Sequence, residues 1–151
     1  MSAKHSPLDT LIDLAQKRTE SAVRSLGELQ TQRNQAGHQL EALYDYKQDY
    51  RQRLQNAMRN GVPAAHYQNY EQFLTVLDNV IDQQHKVVLT ADQQLEQGRE
   101  QWRQAKRKLD SFDTLVQRQQ KTLALQQQRR EQRQTDEQSI RAYLRAGAGT
   151  F

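Results

Sequence analysis

Two histidine–carboxylate pairs are the residues of this 151-residue chain whose types and spacing best suit metal chemistry. His38 precedes Glu41, and Asp82 precedes His85, by three residues, which places both side chains of a pair on one face of a helix. A metal centre in a helical bundle needs such pairs on two helices together with further glutamates, all facing inward. Both pairs lie outside the apolar stripes described below, so we expect neither a metal nor a cofactor.

The motifs that support other reactions are also missing from the sequence. There is no cysteine, hence no thiolate ligand and no disulfide framework. We find no glycine-rich phosphate loop and no nucleophile elbow. A pair of helices also lacks the concave pocket that a small substrate needs. The sequence therefore predicts a protein that is not an enzyme. Its basic residues do not form the compact basic region that reads DNA, and we expect no nucleic-acid partner.

The elements that carry these residues are indicated by a seven-residue repeat of apolar side chains. Only 35% of the residues are hydrophobic and the mean hydropathy is −1.06, which suits a narrow seam between helices better than a thick core. A first stripe with alternating spacings of four and three, apolar except at three sites, comprises Leu8, Ile12, Ala15, Thr19, Ala22, Leu26, Leu29, Arg33, Ala36, Leu40, Leu43, Lys47, Tyr50, Leu54 and Ala57. A second stripe comprises Tyr70, Leu74, Leu77, Ile81, Gln84, Val88, Ala91, Leu95, Gly98, Trp102, Ala105, Leu109, Phe112, Val116, Gln119 and Leu123.

The stripes are separated by Asn60-Gly61-Val62-Pro63, a sequence that ends one helix and starts the next. Ser6 and Pro7 similarly favour a helix start. The pattern predicts an all-α fold: a long antiparallel two-helix coiled coil, or α-hairpin, with an overhanging C-terminal helix. We assign residues 1–151 to a single coiled-coil domain, with helix 1 at about 7–59, a turn at 60–63, helix 2 at about 64–140 and a disordered tail at about 146–151. If the turn centres on residues 61–63, Gly98 of helix 2 is predicted to face Leu26 of helix 1.

The net charge of +4 arises in the overhang, where the seam sites become polar. A basic excess of this kind favours an acidic partner, and a solvated helical tail is the plainer interpretation. The basic residues that we select as contacts are Arg118, Lys121, Arg129, Arg130 and Arg133. No segment approaches the roughly 20 apolar residues that span a bilayer, and the chain shows no signal peptide, so we expect a cytoplasmic protein.

Aromatic residues concentrate on both sides of the turn. When seam sites are labelled a and d, with Leu40 at a and Leu74 at a, Tyr46 and Phe73 both occupy position g. The two g edges of an antiparallel coil lie on the same side, whereas Tyr44 and several charged residues occupy the opposite e edges. One side of the coil near the turn is thus predicted to be apolar. It either widens the core or forms a docking surface, and exposed apolar area favours the latter.

The residues flanking the turn resemble those of a known family. Tyr44-Asp45-Tyr46-Lys47-Gln48-Asp49-Tyr50-Arg51 and Asn69-Tyr70-Glu71-Gln72-Phe73-Leu74 are similar to the FliJ family of flagellar type III export. The resemblance implies a cytoplasmic stalk-like protein, similar to the γ subunit of rotary ATPases. It implies three partners: a FliI-type export ATPase hexamer, the cytoplasmic part of a FlhA-type export gate, and flagellar export chaperones. Association with the membrane is implied only through these partners.

The same resemblance implies a gate-binding surface near the turn. It falls on Gln39, Leu43, Tyr46, Tyr50, Phe73, Leu77, Val80 and Gln84. Val80 stands where the family has a smaller residue, and Gln84 where it has a histidine. The resemblance to a rotary-ATPase stalk implies that the basic overhang contacts the ATPase. The sequence leaves open an injectisome stalk protein, a structural coiled-coil scaffold, or a helical nucleic-acid-associated protein using the basic tail.

Overall fold

The computed structural model describes residues 6–61 and 63–149, and these residues form two helices and no strand. Helix α1 runs from Pro7 to Arg59 and helix α2 from Ala64 to Ala148. Contacts between the two helices are those of an antiparallel hairpin, which confirms the predicted all-α coiled-coil fold.

Side chains and backbone at the helix ends explain where α1 begins and stops. The Asp9 amide donates to the Ser6 hydroxyl at 3.3 Å, and the Ser6 amide donates to the Asp9 carboxylate at 3.2 Å. This reciprocal pair is a capping box, and the Asp9 amide also donates to the Ser6 carbonyl at 3.0 Å. At the other end Gly61 adopts a φ of 75°, a conformation that glycine reaches without steric cost. The Pro63 carbonyl then accepts the first hydrogen bonds of α2, from His66 and Tyr67.

Burial follows the predicted seam closely. Every stripe site of α1 is at least partly buried, and so is every stripe site of α2 from Tyr70 to Val116. The most buried residues are Ala15, Ala36, Leu77, Ile81, Val88, Leu95 and Gly98. All residues from 117 to 149 are exposed, including the stripe sites Gln119 and Leu123. The prediction that the seam ends near Val116 and that α2 overhangs beyond it is confirmed.

Two details differ from the sequence prediction. Helix α2 continues to Ala148, past the predicted end near residue 140, and residues 146–148 of the predicted disordered tail are helical. The last turns contain alanine, leucine and arginine, which favour helix, and Arg145 complements the negative end of the helix dipole. Residues 150–151 lie outside the described part. Tyr67, which precedes the predicted second stripe, is partly buried one heptad before Leu74.

The chain forms two compact units, which are considered separately. The first, here called the hairpin unit, is Lys17–Lys106 and contains the turn. The second, here called the terminal unit, combines the described residues up to Gln16 with those from Arg107 onward. The assignment of both to one domain stays a prediction.

Contacts across the hairpin unit fix its register. A Cβ added to Gly98 would lie 2.7 Å from Leu29 Cδ1 and 3.6 Å from Leu26 Cδ1, so Gly98 lies against both leucines and nearer to Leu29 than to the predicted Leu26. Three polar seam residues have partners on the other helix. Arg33 Nε donates to Asp92 at 2.8 Å, Lys47 pairs with Asp78, and the Gln84 amide donates to the Ala36 carbonyl at 3.0 Å. Polar groups in this seam therefore retain hydrogen bonds on folding.

The two glycines inside the helices should respond differently to alanine. Gly27 has open space where a Cβ would lie, so Gly27→Ala should stabilise the fold by about 1 kcal/mol through helix propensity alone. Gly98→Ala gains the same propensity but forces Leu29 to move, and overpacking costs about 1–3 kcal/mol. Thermal melts should therefore rank Gly27→Ala above Gly98→Ala. Equal melting temperatures for the two variants would contradict the close approach of the helices at Gly98.

Candidate partner-binding surfaces

An aromatic cluster joins the two helices on one side of the hairpin unit. The Tyr50 ring lies 4.5 Å from Phe73 and 5.4 Å from Tyr70, measured between ring centroids. Tyr46 meets Phe73 edge-on, at 6.2 Å with an interplanar angle of 68°. Aromatic pairs prefer such tilted and edge-to-face arrangements. The Tyr46–Phe73 contact places the two g positions on the same side of the coil, as the heptad register predicts.

The eight residues of the predicted gate surface, here called the aromatic face, differ in exposure. Tyr46, Phe73 and Val80 are 51%, 37% and 40% exposed, and Gln39 is also exposed. Leu43, Tyr50 and Gln84 are partly buried beside them. Leu77 is only 6% exposed, so it supports this face from the core and offers little surface to a partner.

The structure fixes the side-chain position of Gln84 and favours the neutral form of Tyr50 on the aromatic face. The Gln84 amide donates to Gln39 Oε1 at 3.2 Å as well as to the Ala36 carbonyl, which fixes its side chain against α1. Desolvation, followed by the influence of Tyr70 and Tyr46, raises the pKa of the Tyr50 hydroxyl above its usual value of 10.0. Tyr50 therefore stays neutral at physiological pH, and the face carries no charge from it.

The opposite edge of the hairpin unit has a different chemistry. Tyr44 is 45% exposed there and borders an open depression of about 480 Å³ that also contains Lys47 and Arg51. Asp78 pairs with Lys47 on this edge. Tyr67 hydrogen-bonds Glu71, which raises the pKa of the tyrosine. Charged and hydrogen-bonded groups are the majority on this edge, although Met58, in the same heptad position as Tyr44, is 54% exposed there.

The sequence analysis missed Val76 as a member of the apolar side. Val76 is 58% exposed and follows Phe73 by three residues and precedes Val80 by four. This spacing places the three side chains along one strip of α2. Its spacing from Phe73 and Val80 is visible in the sequence, but Val76 occupies position c, which does not adjoin the seam.

The terminal unit contains the basic residues that we assigned to an acidic partner. Arg118, Lys121, Arg129, Arg130 and Arg133 are all exposed along the overhang. A groove of about 550 Å³ opens beside the first turn of α1, and its lining is Leu8, Leu115, Arg118, Gln119, Thr122, Leu123 and Gln126. Apolar and cationic side chains therefore occur together where α2 emerges from the seam.

Among the described residues, the histidine–carboxylate pairs do not come together with further possible metal ligands. His38 Nδ1 lies 3.8 Å from the Glu41 carboxylate, with both side chains more than three-quarters exposed, at 79% and 78%. Over residues 6–61 and 63–149, no group of three or more histidine or acidic side chains is arranged to hold a metal. Neither helix carries, in its described residues, an apolar stretch long enough to cross a bilayer.

Comparison with known proteins bears directly on identity. The family model described as "Flagellar FliJ protein" matches residues 4–148. The Flagellar FliJ protein of Salmonella typhi is 38% identical over 144 residues, covering 95% of this chain and 97% of that one. The Flagellar FliJ protein of Escherichia coli (strain K12) is 36% identical over 143 residues, with the same coverage of 95% and 97%. A match of this length and identity, on the antiparallel hairpin described above, shows that the chain belongs to the FliJ family of flagellar proteins.

Proposed function

We propose that this chain is a non-enzymatic component of the flagellar type III protein export ATPase complex. In this proposal it works in the cytoplasm and reaches the inner-membrane export apparatus only through its partners. It engages a FliI-type ATPase ring, couples that ring to a FlhA-type export gate, and handles flagellar export chaperones. The observation that carries the proposal is the exposed pair Tyr46 and Phe73 on one side of the hairpin unit.

The aromatic face has the properties of a protein-binding surface. Tyr46 and Phe73 contact one another, and Phe73 also packs against Tyr50, so these rings lose little conformational freedom when a partner binds. Large aromatic side chains on a rigid support are common binding hot spots. Tyr46 is half-exposed, and packing between α1 and α2 leaves this area uncovered. These features support the assignment of the face to the export gate.

The ATPase contact is proposed for the terminal unit. Its overhang carries exposed arginines beside the apolar groove at Leu8 and Leu115, and the family resemblance assigns this part to the ATPase ring. Positive side chains favour and steer an acidic partner surface. Handling of export chaperones is proposed from the family alone.

Alanine substitutions on the aromatic face should separate gate binding from folding. Tyr46→Ala and Phe73→Ala should each weaken binding to the purified cytoplasmic gate fragment by about 1–3 kcal/mol, because each removes an exposed anchor. Tyr44→Ala is the matched control, since Tyr44 is 45% exposed on the opposite edge and should change binding little. Titration calorimetry measures the affinity, and circular-dichroism melts monitor the fold.

Two outcomes would contradict this assignment. Equal losses of affinity for Tyr44→Ala and Tyr46→Ala would mean that binding is not confined to one side. Substantial destabilisation by Tyr46→Ala would mean that its ring serves mainly to widen the core. A structural scaffold, the competing class of protein, would bind neither the gate fragment nor the ATPase.

A further inference from the structure

The turn between α1 and α2 contains a pair of residues, Asn60 and Gly61, with a reactivity that neither binding surface uses. The side-chain carboxamide carbon of an asparagine can be attacked by the backbone nitrogen of the next residue, which closes a succinimide ring. Glycine in the second position leaves this approach open, because it has no side chain beside the attacking nitrogen. Both residues are exposed, so water can reach the ring and open it again.

The backbone holds the attacking nitrogen of Gly61 only weakly. Asn60 follows the last residue of α1, and Gly61 adopts a φ of 75°. The Gly61 amide donates to the Met58 carbonyl at 3.4 Å, beyond the usual range of about 2.7–3.2 Å. A Cβ added to Gly61 would meet nothing within 4 Å. The Gly61 nitrogen can therefore turn toward the Asn60 side chain without breaking a strong hydrogen bond or displacing a neighbour.

The other four asparagines of the chain are equally exposed but lie inside the helices. They are Asn34, Asn56, Asn69 and Asn79. The backbone amide after each of them belongs to the helix and donates to the carbonyl four residues earlier. An attack there must first break this hydrogen bond, which slows the reaction about tenfold. The fold thus distinguishes Asn60 from the rest by its backbone and not by access to water.

We propose that Asn60 is a site of spontaneous covalent modification, where the turn converts to aspartate and isoaspartate while the helices stay folded. The Gly61 nitrogen gives up its proton and bonds to Asn60 Cγ. The bond from Cγ to Nδ2 breaks, and the nitrogen leaves with the proton as ammonia. Water then hydrolyses one of the two ring carbonyls. Cleavage at Cγ gives aspartate, and cleavage at the main-chain carbonyl gives isoaspartate, with no oxidant or reductant involved.

Either product adds a negative charge to the hairpin unit at its turn. This charge lies after the end of α1, whose dipole disfavours it, and before the start of α2, whose dipole favours it. Isoaspartate also lengthens the main chain by one carbon. Both changes fall between the two stripes of apolar residues, so the seam keeps its contacts. This inference is independent of the proposed function.

Peptide mapping by mass spectrometry can follow all five asparagines as the full chain is incubated in mildly alkaline buffer. One sample is kept folded, and a second is unfolded in guanidinium chloride. In the folded chain Asn60 should convert at least about tenfold faster than Asn56, because only the amide after Asn56 is held in a helix. Unfolding should accelerate the reaction at Asn56 and leave the rate at Asn60 within about twofold, since no strong hydrogen bond is lost there.

Asn60→Gln is the matched variant, because glutamine keeps the carboxamide but closes its larger ring slowly. Ion-exchange chromatography should show wild type gaining acidic forms with time, while Asn60→Gln does not. Circular-dichroism melts should show both proteins folded throughout. Gly61→Ala is less suitable, since alanine is strained at a φ of 75°.

Three results would overturn the proposal. The first is an Asn60 that stays intact in the folded chain or converts no faster than Asn56. The second is protection of Asn60 in the folded chain relative to the unfolded chain, which would mean that the turn holds its backbone as firmly as a helix. The third is an undiminished gain of acidic forms in Asn60→Gln, which would place the reaction elsewhere.

Discussion

Removal of residues 117–151 should reduce stimulation of the FliI-type ATPase to near its basal rate while the hairpin unit remains folded. All deleted residues that the structure describes are exposed, and the seam sites up to Val116 are kept. The deletion therefore costs little packing, because an exposed polar helix gains almost nothing from tertiary contacts. It removes the arginines that would contact an acidic surface on the ring. Steady-state ATP hydrolysis by the purified ATPase, with and without the truncated chain, measures the effect.

A second variant distinguishes the charge of the overhang from its length. Replacing Arg118, Lys121, Arg129, Arg130 and Arg133 with glutamine keeps a helix of the same length and removes five positive charges. If charge carries the contact, this variant should stimulate as poorly as the deletion, and high salt should weaken the wild-type effect. Full stimulation by the truncated chain would show that the overhang has no part in the ATPase contact.

Leu95→Ala should cause a large loss of stability, about 2–5 kcal/mol. Leu95 is 5% exposed in the seam, one turn before Gly98, where the two helices approach closely. Truncation there removes apolar contacts from both helices and leaves a cavity that rigid helices fill poorly. Leu89→Ala is the matched control, because Leu89 is 52% exposed on the same helix and should change stability by no more than about 0.5 kcal/mol.

Urea unfolding followed by circular dichroism measures both leucine variants under the same conditions. The midpoint for Leu95→Ala should fall well below that of the wild type, with a similar slope, whereas Leu89→Ala should overlay the wild-type curve. Similar midpoints for all three proteins would mean that residues 70–116 do not form the seam that the structure describes.

The sequence by itself determined the seam, the turn and the start of the overhang. The apolar spacing of four and three is a local property of the chain. Only one rotation of each helix buries the resulting stripe of apolar side chains. Gly61 ends α1 and the Ser6–Asp9 pair caps its start through contacts that are local in sequence, so the sequence also predicts both helix ends.

Only the tertiary structure decided which side chains on each edge are covered. Phe73 and Leu77 are both in the predicted gate surface, yet one is 37% exposed and the other 6%. The difference depends on how α1 and α2 rotate against one another and on the size of the facing side chains. Tyr67 enters the seam for the same reason. The pairing of Lys47 with Asp78 and of Arg33 with Asp92 likewise requires the register across two helices, a long-range property that the local repeat does not encode.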